Sequence, residues 1–202
     1  MQAKDGSVMR YLKLFLLPIM LLLAACGASF GPEGPPLGTR DEVAALERGI
    51  LALGPDIDPA EAARAAEIAY AYTRVLADEY EISDPPLVHN TKVNMGIRPR
   101  GLCWHWAEDI ETRLNGEDFE TLTLHRAIAN SDNPFRIDHS TAIVSAKGET
   151  FDEGIVLDPW RFGGFLFWSP VKEDADYIWI ERSLVLERKR ELLLRRYGEA
   201  VL

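Results

Sequence analysis

Ile137-Asp-His-Ser-Thr-Ala-Ile-Val-Ser-Ala-Lys-Gly-Glu-Thr-Phe-Asp-Glu-Gly-Ile-Val-Leu-Asp-Pro-Trp160 is the stretch that decides the fold. Two strand-like runs, residues 137–146 and 151–157, flank Lys147-Gly148-Glu149-Thr150, which reads as a tight turn. Strand, turn and strand make an antiparallel hairpin. With Gly148-Glu149 at its tip, His139 and Asp158 lie equally far from the turn and oppose each other. Directly opposed residues share a face and sit about 5 Å apart at Cβ. A slip of one residue would put them on opposite faces. The simplest register therefore sets an imidazole beside a carboxylate.

Working outward, residues 119–129 and 177–181 also read as strands. Helices come first in the chain. Residues 41–53 have helical character and stop at Gly54-Pro55. Asp58-Pro59-Ala60-Glu61 is a strong helix start, with Asp as cap, Pro at the first position and Glu at the third. The stripe Ala65, Ile68, Ala69, Tyr72, Val75, Leu76 carries that helix to about Tyr80. Asp84-Pro85-Pro86 ends it, and residues 84–101 read as a long loop, a feature that in compact domains tends to be functional. From Cys103 to Leu114 the period is helical again. Cys103, Ala107, Ile110 and Leu114 share a face with Trp106 at its edge, and Glu108, Glu111 and Thr112 lie opposite. Asn115-Gly116 stops it. From Ser183 onward an amphipathic helix is expected, with Leu184, Leu186, Leu192, Leu193 and Leu194 as contacts. Helices followed by adjacent strands predict an α+β domain with helices packed on an antiparallel sheet.

The chain has 202 residues, 47% of them apolar, which suits one folded domain with a real core. Its net charge of −10 excludes nucleic acid as the expected partner, because phosphate binding needs clustered Lys and Arg. Two cysteines, Cys26 and Cys103, exclude a disulfide scaffold. Oligomeric state is not legible.

Arg10-Tyr-Leu-Lys13 precedes an apolar run from Leu14 to Ala25, broken only by Pro18. This basic start and short apolar stretch have the shape of an export signal, and the run is shorter than the ~20 residues of a spanning helix. It ends in Leu23-Ala24-Ala25-Cys26-Gly27, which resembles the lipobox of bacterial lipoproteins. The resemblance implies cleavage before Cys26 and lipidation there, hence a lipid-anchored protein of the cell envelope. Gly27, where some bacteria place a retaining Asp, favours the outer membrane, on its periplasmic face. Met9 is a candidate true start. Residues 1–25 then form the signal peptide, residues 26–40 a Gly/Pro-rich tether, and residues 41–202 the domain. Losing Lys4, Arg10, Lys13 and Asp5 takes the net charge from −10 to −12.

Cleavage and lipidation leave Cys103 as the sole thiol. It opens a helix behind Gly101, and a helix N-terminus favours negative charge and so a thiolate. A thiolate nucleophile needs a base, and the base an orienter; His139 and Asp158 are the candidates. Plainer readings exist: Cys103 as a small buried hydrophobe, His139 as a core histidine, Asp158 as a turn former.

Gly101-x-Cys103 on a helix, His139 on a strand, and Asp158 before Pro159-Trp160 together resemble the transglutaminase-like, papain-related cysteine enzymes. The order Cys, His, Asp is that superfamily's order, and the likeness covers about residues 85–170. It implies Cys103 as nucleophile, His139 as general base and acid, Asp158 as its orienter, and acyl transfer at amides of peptides, proteins or cell-wall stems, without a cofactor. Many papain-like enzymes add an upstream Gln as oxyanion donor, but the only Gln is Gln2. Backbone N–H groups at Cys103 and Trp104 are the substitutes, with Asn94 or Asn90 as side-chain donors. Loss of catalysis, leaving a binding or assembly module, is the alternative.

Among the other residues, His105, two positions after Cys103, is expected to face away from it, and His89 and His125 to be structural. A zinc site of Cys103, His105, His139 and Asp158 lacks paired ligand spacing, so no metal is expected. Trp160, Phe162, Phe165, Phe167 and Trp168 either wall a substrate groove or pack beneath the sheet. Arg161 pairs with a substrate carboxylate or an acidic neighbour.

Overall fold

Each early helix begins where the sequence supplies a cap. Thr39 Oγ1 accepts from the Glu42 N–H at 3.3 Å and Glu42 returns a carboxylate to the Thr39 N–H at 2.7 Å, a capping box that opens α1 (Arg40–Leu51). Asp58 Oδ1 accepts from the Ala60 and Glu61 N–H groups, and Pro59 fills the first position of α2 (Pro59–Glu79). Glu61 does not close a second capping box. Its carboxylate crosses to accept from the Glu120 and Thr121 N–H groups at 2.7 and 2.8 Å, tying the start of α2 to the chain entering the sheet. Burial alone would raise the Glu61 pKa, but the Thr121 hydroxyl and those N–H groups hold it below the usual carboxylate range.

The expected loop over residues 84–101 contains a further helix, α3 (Pro86–Asn94). Pro85-Pro86 reads as a stop, yet Pro86 stands at the first helical position, where a missing N–H is harmless. Next comes α4 (Cys103–Asn115) and then five strands: β1 (Leu122–Ala129), β2 (His139–Ala146), β3 (Ile155–Asp158), β4 (Phe167–Pro170) and β5 (Ile180–Glu181). Helix α5 (Arg182–Tyr197) follows. This is a computed structural model, and it describes residues 33–198; the leader, Cys26 and the first part of the tether lie outside the described residues. None of the described helices is long and apolar enough to cross a membrane.

The fold is α+β. One antiparallel sheet runs in the order β4-β3-β2-β1-β5. Ala142, Val144, Ile155 and Leu157 turn one face toward Leu46, Ile50, Leu76, Trp106, Ile110 and Leu114 of α1, α2 and α4. Each such aliphatic side chain, removed from water, contributes about 2 kcal/mol. The other face carries Ile143, Val156, Ala127 and Ala129 under Val171 and Trp179. The leucines expected to anchor α5 remain mostly in solvent: Leu192, Leu193 and Leu194 are each more than half exposed, and Val185 is the buried residue of that helix.

The hairpin register also differs. Leu157 pairs with Ala142 and Val156 with Ile143, two positions away from the register of a two-residue turn. The turn closes on Lys147-Gly148, with the Glu149 N–H donating to the Ala146 carbonyl, and Phe151–Glu153 then form a 3-10 turn instead of strand. A slip of two preserves the face, so His139 and Asp158 become diagonal neighbours on one side of the sheet, within reach of long side chains.

Candidate active site

Three elements converge at one end of the sheet. Helix α4 begins at Cys103, strand β2 begins at His139, and β3 ends at Asp158. Cys103 Sγ lies 3.6 Å from the carbonyl oxygen of Asp138, the residue just before His139. His139 Nε2 is 2.6 Å from Asp158 Oδ2, and both side chains are 1% exposed. Among the described residues Nδ1 has no hydrogen-bond partner. One ring nitrogen is thus committed to the carboxylate, and the other is left for the sulfur.

Electrostatics favour a charged ring. Burial pushes the His139 pKa down, but Asp158, through its charge and its hydrogen bond, and the adjacent Cys103 outweigh it and raise it to about 9. Trp160, Tyr177 and Trp179 enclose the ring at centroid distances of 4.7, 4.6 and 5.3 Å. They exclude water and fix its plane.

Asp158 is held in turn. Arg161 donates to it from Nε at 3.0 Å and from its backbone N–H at 3.2 Å, and grips Asp174 at 2.7 and 3.0 Å. Trp179 Nε1 donates to the same Asp174 at 2.9 Å. Arg161 also lies over the Phe167 and Tyr177 rings. It therefore pairs with acidic neighbours rather than with an open groove. Trp160 is 7% exposed and joins the helix-side core, so neither Trp160 nor the Arg161 side chain is presented to solvent; Phe165 and Trp168 pack against that core, and Phe162 is exposed.

The nucleophile's helix has its own support. Gly101 takes φ +116, and a Cβ there would meet His89 Nε2 at 2.4 Å. His89 Nε2 bonds the Arg100 carbonyl at 2.8 Å, and Trp106 Nε1 donates to the Gly101 carbonyl at 3.1 Å. His105, expected to face away from Cys103, lies inside the fold. It is buried, and its Nδ1 accepts the Gly101 and Leu102 N–H groups at 3.1 and 3.2 Å. This is half of a capping box with an imidazole in the place of Glu. Burial, then the Arg100 charge, lower its pKa to about 4, which keeps the accepting ring neutral.

Of the oxyanion candidates, the Cys103 and Trp104 N–H groups belong to the first turn of α4, where a helix offers no internal partner. Asn94 is exposed at the end of α3. Asn90, one turn earlier, accepts the Trp160 indole N–H at 3.0 Å and so belongs to the wall behind His139. His125 bonds Ser145 Oγ at 2.8 Å. No three His, Cys, Asp or Glu side chains converge as metal ligands among the described residues. Sequence reasoning missed Asp174, Tyr177 and Trp179 as parts of the site, and nothing in their local pattern points to it. The capping role of His105 had a signal, its third position in the helix, readable only once the start at Cys103 is fixed. No family model, curated protein or solved structure matches the chain.

Proposed function

We propose that this chain is a lipid-anchored, cell-envelope cysteine hydrolase or acyltransferase with a transglutaminase-like core. Its substrates are amides of peptides, proteins or cell-wall stems. The observation that carries the reading is the division of labour on His139: Nε2 sits on Asp158, while Nδ1 is buried with no hydrogen-bond partner among the described residues, beside a thiol at a helix N-terminus.

The chemistry balances as follows. With His139 protonated, Cys103 is the thiolate of an ion pair. Its Sγ adds to the amide carbonyl carbon, and the oxyanion accepts the Cys103 and Trp104 N–H groups. His139 gives its proton to the departing nitrogen, the C–N bond breaks, and a thioester remains on Sγ. Water, or an acceptor amine, loses a proton to His139 and adds to the thioester. The acid or new amide leaves, and thiolate and imidazolium are restored. Asp158, pinned by Arg161, keeps the ring in the required plane throughout.

Alkylation tests the nucleophile. Cys103 should react with iodoacetamide near pH 6 at least tenfold faster than a free thiol, since only the thiolate reacts and a free thiol of pKa about 8.5 is almost wholly protonated there. A rate no higher than the free thiol's refutes an activated nucleophile and leaves a binding or assembly module. A screen of amides against wild type and Cys103→Ala then identifies the substrate. Cys26→Ser should release the protein from the membrane fraction; retention there would refute the anchor.

A further inference from the structure

The proposed nucleophile opens onto a cleft of about 290 Å³ whose lining includes Trp104, Arg126, Ser140, Arg182, Glu108 and Asp138. The two carboxylates are already matched: Glu108 meets Arg100 at 3.4 Å and Asp138 meets Lys189. Of the two cations, Arg126 is matched only in part and Arg182 has no ion pair among the described residues. Arg126, its side chain 9% exposed, donates to Glu111 and the Trp104 carbonyl at 3.3 and 3.2 Å, but its buried Nε has no partner among the described residues. Arg182, exposed at the start of α5, forms no ion pair among the described residues. Its charge nevertheless reaches Arg126: burial lowers the Arg126 pKa, Glu111 opposes that, and Arg182 adds a smaller lowering. Two guanidinium groups facing one cleft repel unless an anion lies between them. On a chain of net charge −10 the lining itself, two arginines against Glu108 and Asp138, carries no net negative charge.

We infer that the cleft beside Cys103 is an anion-selecting subsite, in which Arg126 and Arg182 receive a carboxylate of the substrate next to the amide under attack. The inference rests on Cys103 as nucleophile and adds the substrate class: acidic peptides or amides with a free carboxylate near the scissile bond. Arg126 is held by the carbonyl of Trp104, one residue from the sulfur, so a bound carboxylate fixes the position of the reacting carbonyl. Guanidinium suits the task because its planar donors match a carboxylate.

Two alkylating reagents of nearly equal size test it. Iodoacetate carries a carboxylate and iodoacetamide does not; Sγ bonds to the methylene carbon of either, iodide leaves into solution, and each adds a distinguishable mass. The quantity read is the ratio of their rate constants at Cys103, relative to the same ratio for a small free thiol. The ratio should favour iodoacetate by about tenfold in wild type. It should fall severalfold in Arg182→Gln, an exposed change compatible with folding, and further in Arg126→Gln. Arg188→Gln removes an equal charge from elsewhere on α5 and should leave the ratio as in wild type, which separates the subsite from net charge and from the His139 proton. Fast iodoacetamide reaction with no iodoacetate preference, or equal ratios in Arg182→Gln and Arg188→Gln, overturns the subsite and leaves the nucleophile intact. Slow reaction with both reagents overturns the nucleophile and, with it, the subsite.

Discussion

The His139–Asp158 contact links the proposed chemistry to stability, and the link has a sign. Folding moves the His139 pKa from its ordinary 6.5 up to about 9. Between those values folded His139 holds a proton that it releases in the unfolded chain, but a Cys103 thiolate gives up a proton in return, so the term stands alone only in a Cys103→Ser background. There, stability falls as pH rises through this window. The contribution is fully present below pH 6.5 and gone above about 9, and the gap corresponds to on the order of 3 kcal/mol. That is a large share of the ~5–15 kcal/mol of a typical domain. Urea unfolding of Cys103→Ser with and without Asp158→Asn at pH 6 and pH 9.5 measures it. Asparagine can still accept from Nε2 but removes the charge that raises the ring. The protein that keeps Asp158 should lose roughly 3 kcal/mol more than the Asp158→Asn protein across the window. A companion titration of the four histidines by NMR should show one ring still protonated at pH 8 in wild type and none in the variant. Equal losses in both proteins, or every ring titrating at 6.5 or below, would refute the imidazolium–carboxylate pair.

His105 has the opposite sign: its pKa falls to about 4, so its stabilisation is present above pH 6.5 and lost as pH drops toward 4. His105→Gln, which keeps an acceptor but does not titrate, should lack that acid loss when unfolding is followed by circular dichroism between pH 6.5 and 4. Gly101→Ala meets both a φ of +116 and a Cβ 2.4 Å from His89 Nε2; a drop of about 2–5 kcal/mol in urea unfolding is expected, and less than 1 would contradict the close approach. Arg161→Met leaves Asp158 and Asp174 without their shared cation and should destabilise by about 3–5 kcal/mol. It should also slow Cys103 alkylation, because the carboxylate that orients His139 is no longer pinned; an unchanged alkylation rate in a folded variant would confine Arg161 to structure.

Much of the scaffold was legible because its signals are local. Asp58 with Pro59 started α2, and the spacing of Cys103, Ala107, Ile110 and Leu114 put the thiol on the inward face of α4. The period of two along a strand placed His139 and Asp158 on one face. Errors came where one local signal has two meanings. Pro85-Pro86 fits a stop or a start. The leucines of α5 form an apolar pattern, but a pattern names no partner, and the sheet covers only Val185.

The sequence by itself determined the residue types, their order and the face each would occupy, since backbone periodicity and capping act within a few residues. Only the tertiary structure decided the register, the ring nitrogen that meets the carboxylate, and the burial of His105. A 3-10 turn at Phe151–Glu153 shifts the hairpin by two. Arg161 turns Asp158 toward His139 because Asp174, far along the chain, holds its other end. Trp160, Tyr177 and Trp179 close around the ring from three separate positions. Such choices depend on hydrogen bonds and packing between groups distant in sequence, which exist only once the chain is folded.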